Sequence, residues 1–169
     1  MKYLCLLLSI FLGVLAHADE RAAVLGRWAS DNSILEIVES GGQLHATIIA
    51  LLDPVYRADE EDGGVAGTVR VDSKNPNEAL RSRPLVGIDL LEAYSYEDGK
   101  WHGHIYDPES GKTYKSQMSV DADGNLLMRG YIGMPMLGRT ATFKPVASCT
   151  GNIPKMLASV SPAGSCTAG

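Results

Sequence analysis

The chain has little of what marks an enzyme or a nucleic-acid binder. Four histidines and three cysteines in 169 residues are few for a metal scaffold. No Gly-x-Ser-x-Gly elbow is present, so a familiar hydrolase nucleophile is missing. Basic residues do not dominate: 15 Lys and Arg stand against 20 Asp and Glu, a formal charge of −5. That balance argues against non-specific nucleic-acid binding and against docking on an anionic membrane. After Ala18 no apolar run approaches the roughly 20 residues a spanning helix needs, and no repeat of solenoid length occurs.

What is there begins with an export signal. Lys2 supplies a positive start, Tyr3 to Leu15 is apolar apart from Ser9 and Gly13, and Ala16-His17-Ala18 is a small-x-small cleavage site. A signal peptide over residues 1–18 is expected, with Asp19 as the mature N-terminus and a periplasmic or secreted destination. The run is short for a retained anchor, and Cys5 lies too early for lipid attachment. Cys149 and Cys166 remain after cleavage, and an even pair in an oxidising compartment reads as a disulfide. It would close an Ala/Ser/Gly-rich tail over 147–169, a loop for which chain-entropy models give about 3 kcal/mol.

Residues 19–146 read as one β domain. Alternating segments run over Arg27-Trp28-Ala29, Ser33 to Val38, Gln43 to Leu51, Ile88 to Tyr96, Lys100 to Tyr106, Lys112 to Val120, Asn125 to Ile132 and Arg139 to Pro145. Asp31-Asn32, Gly41-Gly42, Asp98-Gly99 and Asp123-Gly124 punctuate them as hairpin turns. About eight strands on short links predict an all-β, antiparallel up-and-down barrel, with a sandwich as the alternative. Alternation puts Trp101, Gly103 and Ile105 inside, and His102, His104 and Tyr106 outside. Leu126, Met128, Gly130 and Ile132 are expected inside too, and interior glycines leave room for a ligand. One connection, Asp53 to Leu85, is far longer than a hairpin loop and is expected to be either functional or disordered. Its first half, Ala58 to Gly64, is acidic. Its second half predicts a short helix over Pro76 to Arg81, capped by Asn75 with Glu78 completing a capping box.

The order Gly26-Arg27-Trp28, Asn75-Pro76-Asn77, Leu80 to Leu85, Trp101-x-Gly103-x-Ile105-Tyr106-Asp107-Pro108, Gly111 to Tyr114, Arg129 to Gly133 and Gly138-Arg139-Thr140 resembles domain-of-unknown-function family 2147, small exported bacterial proteins. The resemblance runs from about Gly26 to Val146. It implies a lipocalin-like barrel and brings no activity, so no catalytic residue is transferred. The Gly-x-Trp opening is similar to that of lipocalins generally, where the Trp packs at the closed end.

Chemistry-bearing patterns are weak. Gly111-Lys112-Thr113 lacks the earlier glycine of a phosphate loop, since Tyr106 stands there, and it leads into a strand. Asp121 to Asn125 lacks the closing Glu of a calcium loop and reads as a hairpin turn. His102 and His104 share a strand face and would need a third ligand such as His45 or Asp107 to hold a metal. Asp107 and Glu109 flank Pro108 in a turn. No catalytic residue, metal or cofactor is assigned. The arginines matter most. Arg81, Arg83, Arg129 and Arg139, with Trp101 and Tyr131, are the candidate ligand-binding set, since a guanidinium fork suits an anionic head group. The competing reading has them pin the long loop to the barrel through Asp72, Glu78 or Asp89. The expected function is non-catalytic binding of a small apolar or amphipathic molecule in the barrel, with an apolar or anionic-headed ligand as the expected partner. The alternatives are a solid barrel serving as an envelope interaction module with a protein partner, and a metal-dependent or acid/base hydrolase.

Overall fold

Gly41-Gly42, Asp98-Gly99 and Asp123-Gly124 fall where the chain reverses, and eight strands result. The computed structural model describes residues 20–60, 64–161 and 166. The expected signal peptide, and Glu61, Asp62 and Gly63 of the acidic segment, lie outside the described residues. The strands are β1 (Gly26–Ala29), β2 (Ser33–Ser40), β3 (Gln43–Leu51), β4 (Leu91–Glu97), β5 (Lys100–Asp107), β6 (Lys112–Val120), β7 (Leu126–Tyr131) and β8 (Arg139–Pro145). All neighbours are antiparallel, in the order β3-β2-β1-β8-β7-β6-β5-β4. Residues 87–90 join the two ends of this sheet. Ile48 N–H donates to the Ile88 carbonyl at 3.0 Å, Leu90 N–H to Ala46 at 2.9 Å, and Tyr106 N–H to Leu90 at 2.8 Å. Asp89 reinforces the seam, accepting from His45 Nδ1 at 2.6 Å and from the Ala46 N–H at 2.9 Å. The result is a nearly closed up-and-down barrel with its edges covered.

Alternation decides what fills it. Leu35, Ile37, Leu44, Ala46, Ile48, Trp101, Met118, Leu126, Met128 and Phe143 form one buried interior cluster with Trp28. Both indoles tie down the segment before β1: Trp28 Nε1 donates to Val24 O at 2.8 Å and Trp101 Nε1 to Arg21 O at 3.1 Å. That end of the barrel is therefore plugged. Ile132, expected inside, lies past the end of β7 and is exposed.

The tail holds an element that composition did not announce. α1 (Ile153–Val160) carries Pro154 in its first turn, where a missing N–H costs nothing. Ile153, Met156 and Leu157 repeat at helical spacing and pack on Ala29, Ile34 and Ala50, the outer face of β1 to β3. Cys149 and Cys166 are joined as a disulfide, their Cα atoms 5.6 Å apart.

The long connection is anchored at its centre. Asp72 is fully buried and accepts from Tyr106 Oη at 2.6 Å, Asn75 Nδ2 at 2.7 Å, and Arg83 Nε and Nη2 at 3.0 and 2.8 Å. A buried carboxylate persists only when its oxygens are satisfied this way. The predicted helix shrinks to a single 3-10 turn, Glu78–Leu80, capped by Asn77 rather than Asn75. Asn75 holds the start of this turn another way: its Oδ1 accepts from the Asn77 N–H at 2.9 Å while its Nδ2 donates to Asp72 and Tyr106.

Candidate functional site

The plugged end holds the two indoles, and the opposite end is open. There the inward-facing side chains of β5 to β8 surround a cavity of about 630 Å³. Its wall is Ile105, Tyr114, Met128, Ala141 and Phe143, with Asp107 and Arg139 at the rim. The sequence makes this space through small residues in register: Gly103 pairs with Ser116, and Ser116 with Gly130. A Cβ on Gly130 would point at Tyr114 and Ile105, 3.6 and 4.0 Å away, so its absence widens the cavity. The β7–β8 connection forms one lip, with Ile132, Leu137 and Gly138 lining it. A separate cleft of about 470 Å³ lies between the long connection and the β5–β6 turn, lined in part by Tyr56, Arg70 and Pro108.

The candidate binding residues are divided by the fold. Tyr131 and Arg139 both line the open cavity. Arg129 is turned to the lip itself: Nε donates to Pro135 O at 2.7 Å, Nη2 to Met136 O at 3.2 Å and Nη1 to Thr140 Oγ1 at 2.8 Å. Arg83 is bound to Asp72, and Arg81 to Glu78 at 3.2 Å and Asn75 O at 2.8 Å. Trp101 belongs to the plugged end. Of the histidines, His102 and His104 lie on the face of β5 opposite Trp101, while Asp107 reaches the cavity from the Trp101 face. Asp121 accepts from the N–H groups of Asp123 and Asn125 at 3.0 and 2.8 Å. These bonds hold its carboxyl below the usual range and make the segment a turn.

Sequence reasoning missed the polar pair inside the barrel. The hydroxyls of Tyr94 and Ser116 are both buried without a hydrogen-bond partner. Burial pushes the Tyr94 phenol from 10.0 up to about 12, with Ser116 acting in the opposite direction. The available signal was Ser116 itself, a hydroxyl at an inward position between two glycines. A folded value above the unfolded one means stabilisation that is complete below about pH 10 and is lost as pH rises through about 12. The difference amounts to about 3 kcal/mol. Tyr94→Phe is expected to remove that alkaline loss and, by deleting an unpaired hydroxyl, to gain about 1 kcal/mol at neutral pH. Urea unfolding of both proteins at neutral and alkaline pH measures it; parallel pH curves would refute the assignment.

A model of family DUF2147, described as uncharacterized protein conserved in bacteria, matches residues 26–144. No curated protein matches. A solved structure from the human pathogen Helicobacter pylori, described as belonging to the lipocalin family, is similar at 23% identity and a TM-score of 0.54, over 72% of this chain and 82% of that one. At that identity the likeness shows the fold. The family match spans β1 to all but the last residue of β8, and with them the Asp72 anchor and the cavity wall, so this chain belongs to the DUF2147 family and is built as a lipocalin-like barrel.

Proposed function

We propose that the chain is an exported, non-catalytic barrel that takes a small amphipathic molecule into its open end. The observation that carries this is the cavity of about 630 Å³, within the size range of ligand pockets and walled mainly by apolar side chains. The expected signal sequence, the joined Cys149 and Cys166, and the lack of any helix long and apolar enough to cross a membrane among the described residues support export. Arg139 is exposed at the rim, where its guanidinium suits an anionic head group left in water while the chain enters. The solid-barrel alternative draws on the packed half around Trp28 and Trp101; the open half favours binding.

Native mass spectrometry of protein purified gently from its exported compartment tests for a carried ligand directly. A titration with an anionic fluorescent amphiphile gives the mutational test. Ala141 is exposed on the cavity wall of β8, so an indole there fills the space without displacing the core. Ala141→Trp is expected to weaken the amphiphile by about tenfold or more at unchanged stability. Equal affinity in the variant would place the probe elsewhere and favour the solid module.

A further inference from the structure

The lip of the cavity is more apolar than a lip needs to be. Ile132, Met134, Met136 and Leu137 are 74, 58, 75 and 73% exposed, all within the seven residues joining β7 to β8. No charged residue interrupts them. Large apolar side chains concentrated on one exposed tip mark an interaction site rather than ordinary surface.

The tip is also built to hold its shape. Arg129 spans it from behind through the Pro135 and Met136 carbonyls, and a 3-10 turn at Pro135–Leu137 closes on itself, Gly138 N–H donating to Pro135 O at 3.0 Å. A Cβ on Gly138 would lie 2.8 Å from Tyr131 Cβ, so the turn folds tightly onto β7. The carbonyls of Met134, Pro135 and Met136 are thus bonded internally, which lowers the cost of entering an apolar medium.

Charge names the partner. The acidic balance of the chain stops at Asp123: residues 125–169 contain no Asp or Glu. Arg129 and Arg139 flank the β7–β8 turn instead, and neither pairs with a carboxylate among the described residues. An apolar tip backed by cations matches a bilayer containing anionic lipid, with side chains in the acyl region and guanidinium groups at the phosphates. A single turn offers far less than the roughly 800 Å² per partner of a stable protein interface, whereas a bilayer needs no complementary shape.

We infer that the β7–β8 turn docks this barrel on an anionic lipid surface, bringing the cavity mouth to the membrane. The docking does not require an occupied cavity. Whole-chain acidity, which argued against such docking, acts at a distance and is screened within about 10 Å, while the hairpin meets the head groups directly.

The test is flotation of the full exported protein with vesicles of phosphatidylcholine mixed with phosphatidylglycerol, and with phosphatidylcholine alone. The wild type is expected to float with the mixed vesicles, less at high salt and less with phosphatidylcholine alone. Met134→Ser combined with Met136→Ser is expected to weaken flotation by about tenfold or more. Both side chains lie outside the cavity wall, so amphiphile binding in vesicle-free solution and the melting temperature should stay unchanged. That separates failure of docking from failure of the binding reading. Wild-type protein that ignores both vesicles, or a double variant that floats as well as the wild type, overturns the inference. So does a dimer of the wild type that the double variant abolishes, which would assign the turn to a second copy.

Discussion

Arg83→Met is expected to cost about 3 kcal/mol of folding stability, although the residue lies in a connection rather than in the barrel. The side chain of Asp72 is 0% exposed and that of Arg83 35% exposed. Removing the guanidinium leaves a carboxylate in the interior with its charge uncompensated by Arg83 and with Tyr106 and Asn75 still donating to it. Breaking a buried pair in this way costs 3–5 kcal/mol or so. The lower figure applies because Arg83 is partly wet and water replaces some of its effect. If the penalty is the stranded charge, Asp72→Asn in the Arg83→Met background should recover about half of it. The two changes share one network, so they will not add. Urea unfolding of the two single variants and the double variant gives the coupling directly; strict additivity would mean that Arg83 acts through packing alone. The phenol of Tyr106 supplies a second readout. Burial first, and the Asp72 hydrogen bond second, push it up to about 12, so its titration should move toward the ordinary value once Asp72 is neutral.

This network explains why the motifs that carried the family resemblance occur together. Asn75 and Arg83, from the long connection, and Tyr106, from β5, converge on Asp72. Arg129 and Thr140, from the last two motifs, meet behind the β7–β8 turn. The resemblance therefore reports how two connections are fixed to the barrel. Strands and hairpins were readable because alternation and turn chemistry are local and each is set within a few residues. Trp28 was readable for a different reason, since a Gly-x-Trp at the start of such a barrel has one place to go.

Other features were hidden because they depend on partners distant in sequence. α1 has the right spacing, but its flanks are rich in Ser, Gly and Ala, and composition outweighed periodicity. A short helix takes most of its stability from the surface that it covers, here Ala29, Ile34 and Ala50 of β1 to β3. Nothing local shows that Asn75, whose oxygen accepts from the Asn77 N–H, also turns its Nδ2 to a carboxylate that Tyr106, on β5, helps to bury. The division of the arginines, with Arg139 at the cavity and Arg129 behind its lip, follows from strand direction at the end of β7. Alternation fixes faces but not what the following turn folds back upon.

Gly103→Ala is also expected to cost about 3 kcal/mol. The added Cβ would lie 2.7 Å from Cγ of the Tyr94 ring and 2.9 Å from the Glu92 carbonyl oxygen. Neither neighbour can yield cheaply. Tyr94 is 4% exposed and packed in the interior cluster, and Glu92 is a backbone partner of His104 at the point where β4 slips register. The slip, with Ala93 at φ 53°, turns Tyr94 inward across β5, and only a residue without a side chain lets the ring lie there. Gly103 therefore exists to seat Tyr94, and the interior space at Ser116 and Gly130 begins where that ring ends. Shortening the ring should relieve the clash: Tyr94→Leu is expected to be destabilising alone, yet Gly103→Ala should cost about 1 kcal/mol less in that background than in the wild type. Thermal melting of the four proteins measures the coupling, at roughly 2–4 °C per kcal/mol for a domain of this size. If the methyl costs the same with and without the ring, the strain lies against the Glu92 backbone, and the small-residue row owes its place to strand pairing rather than to Tyr94.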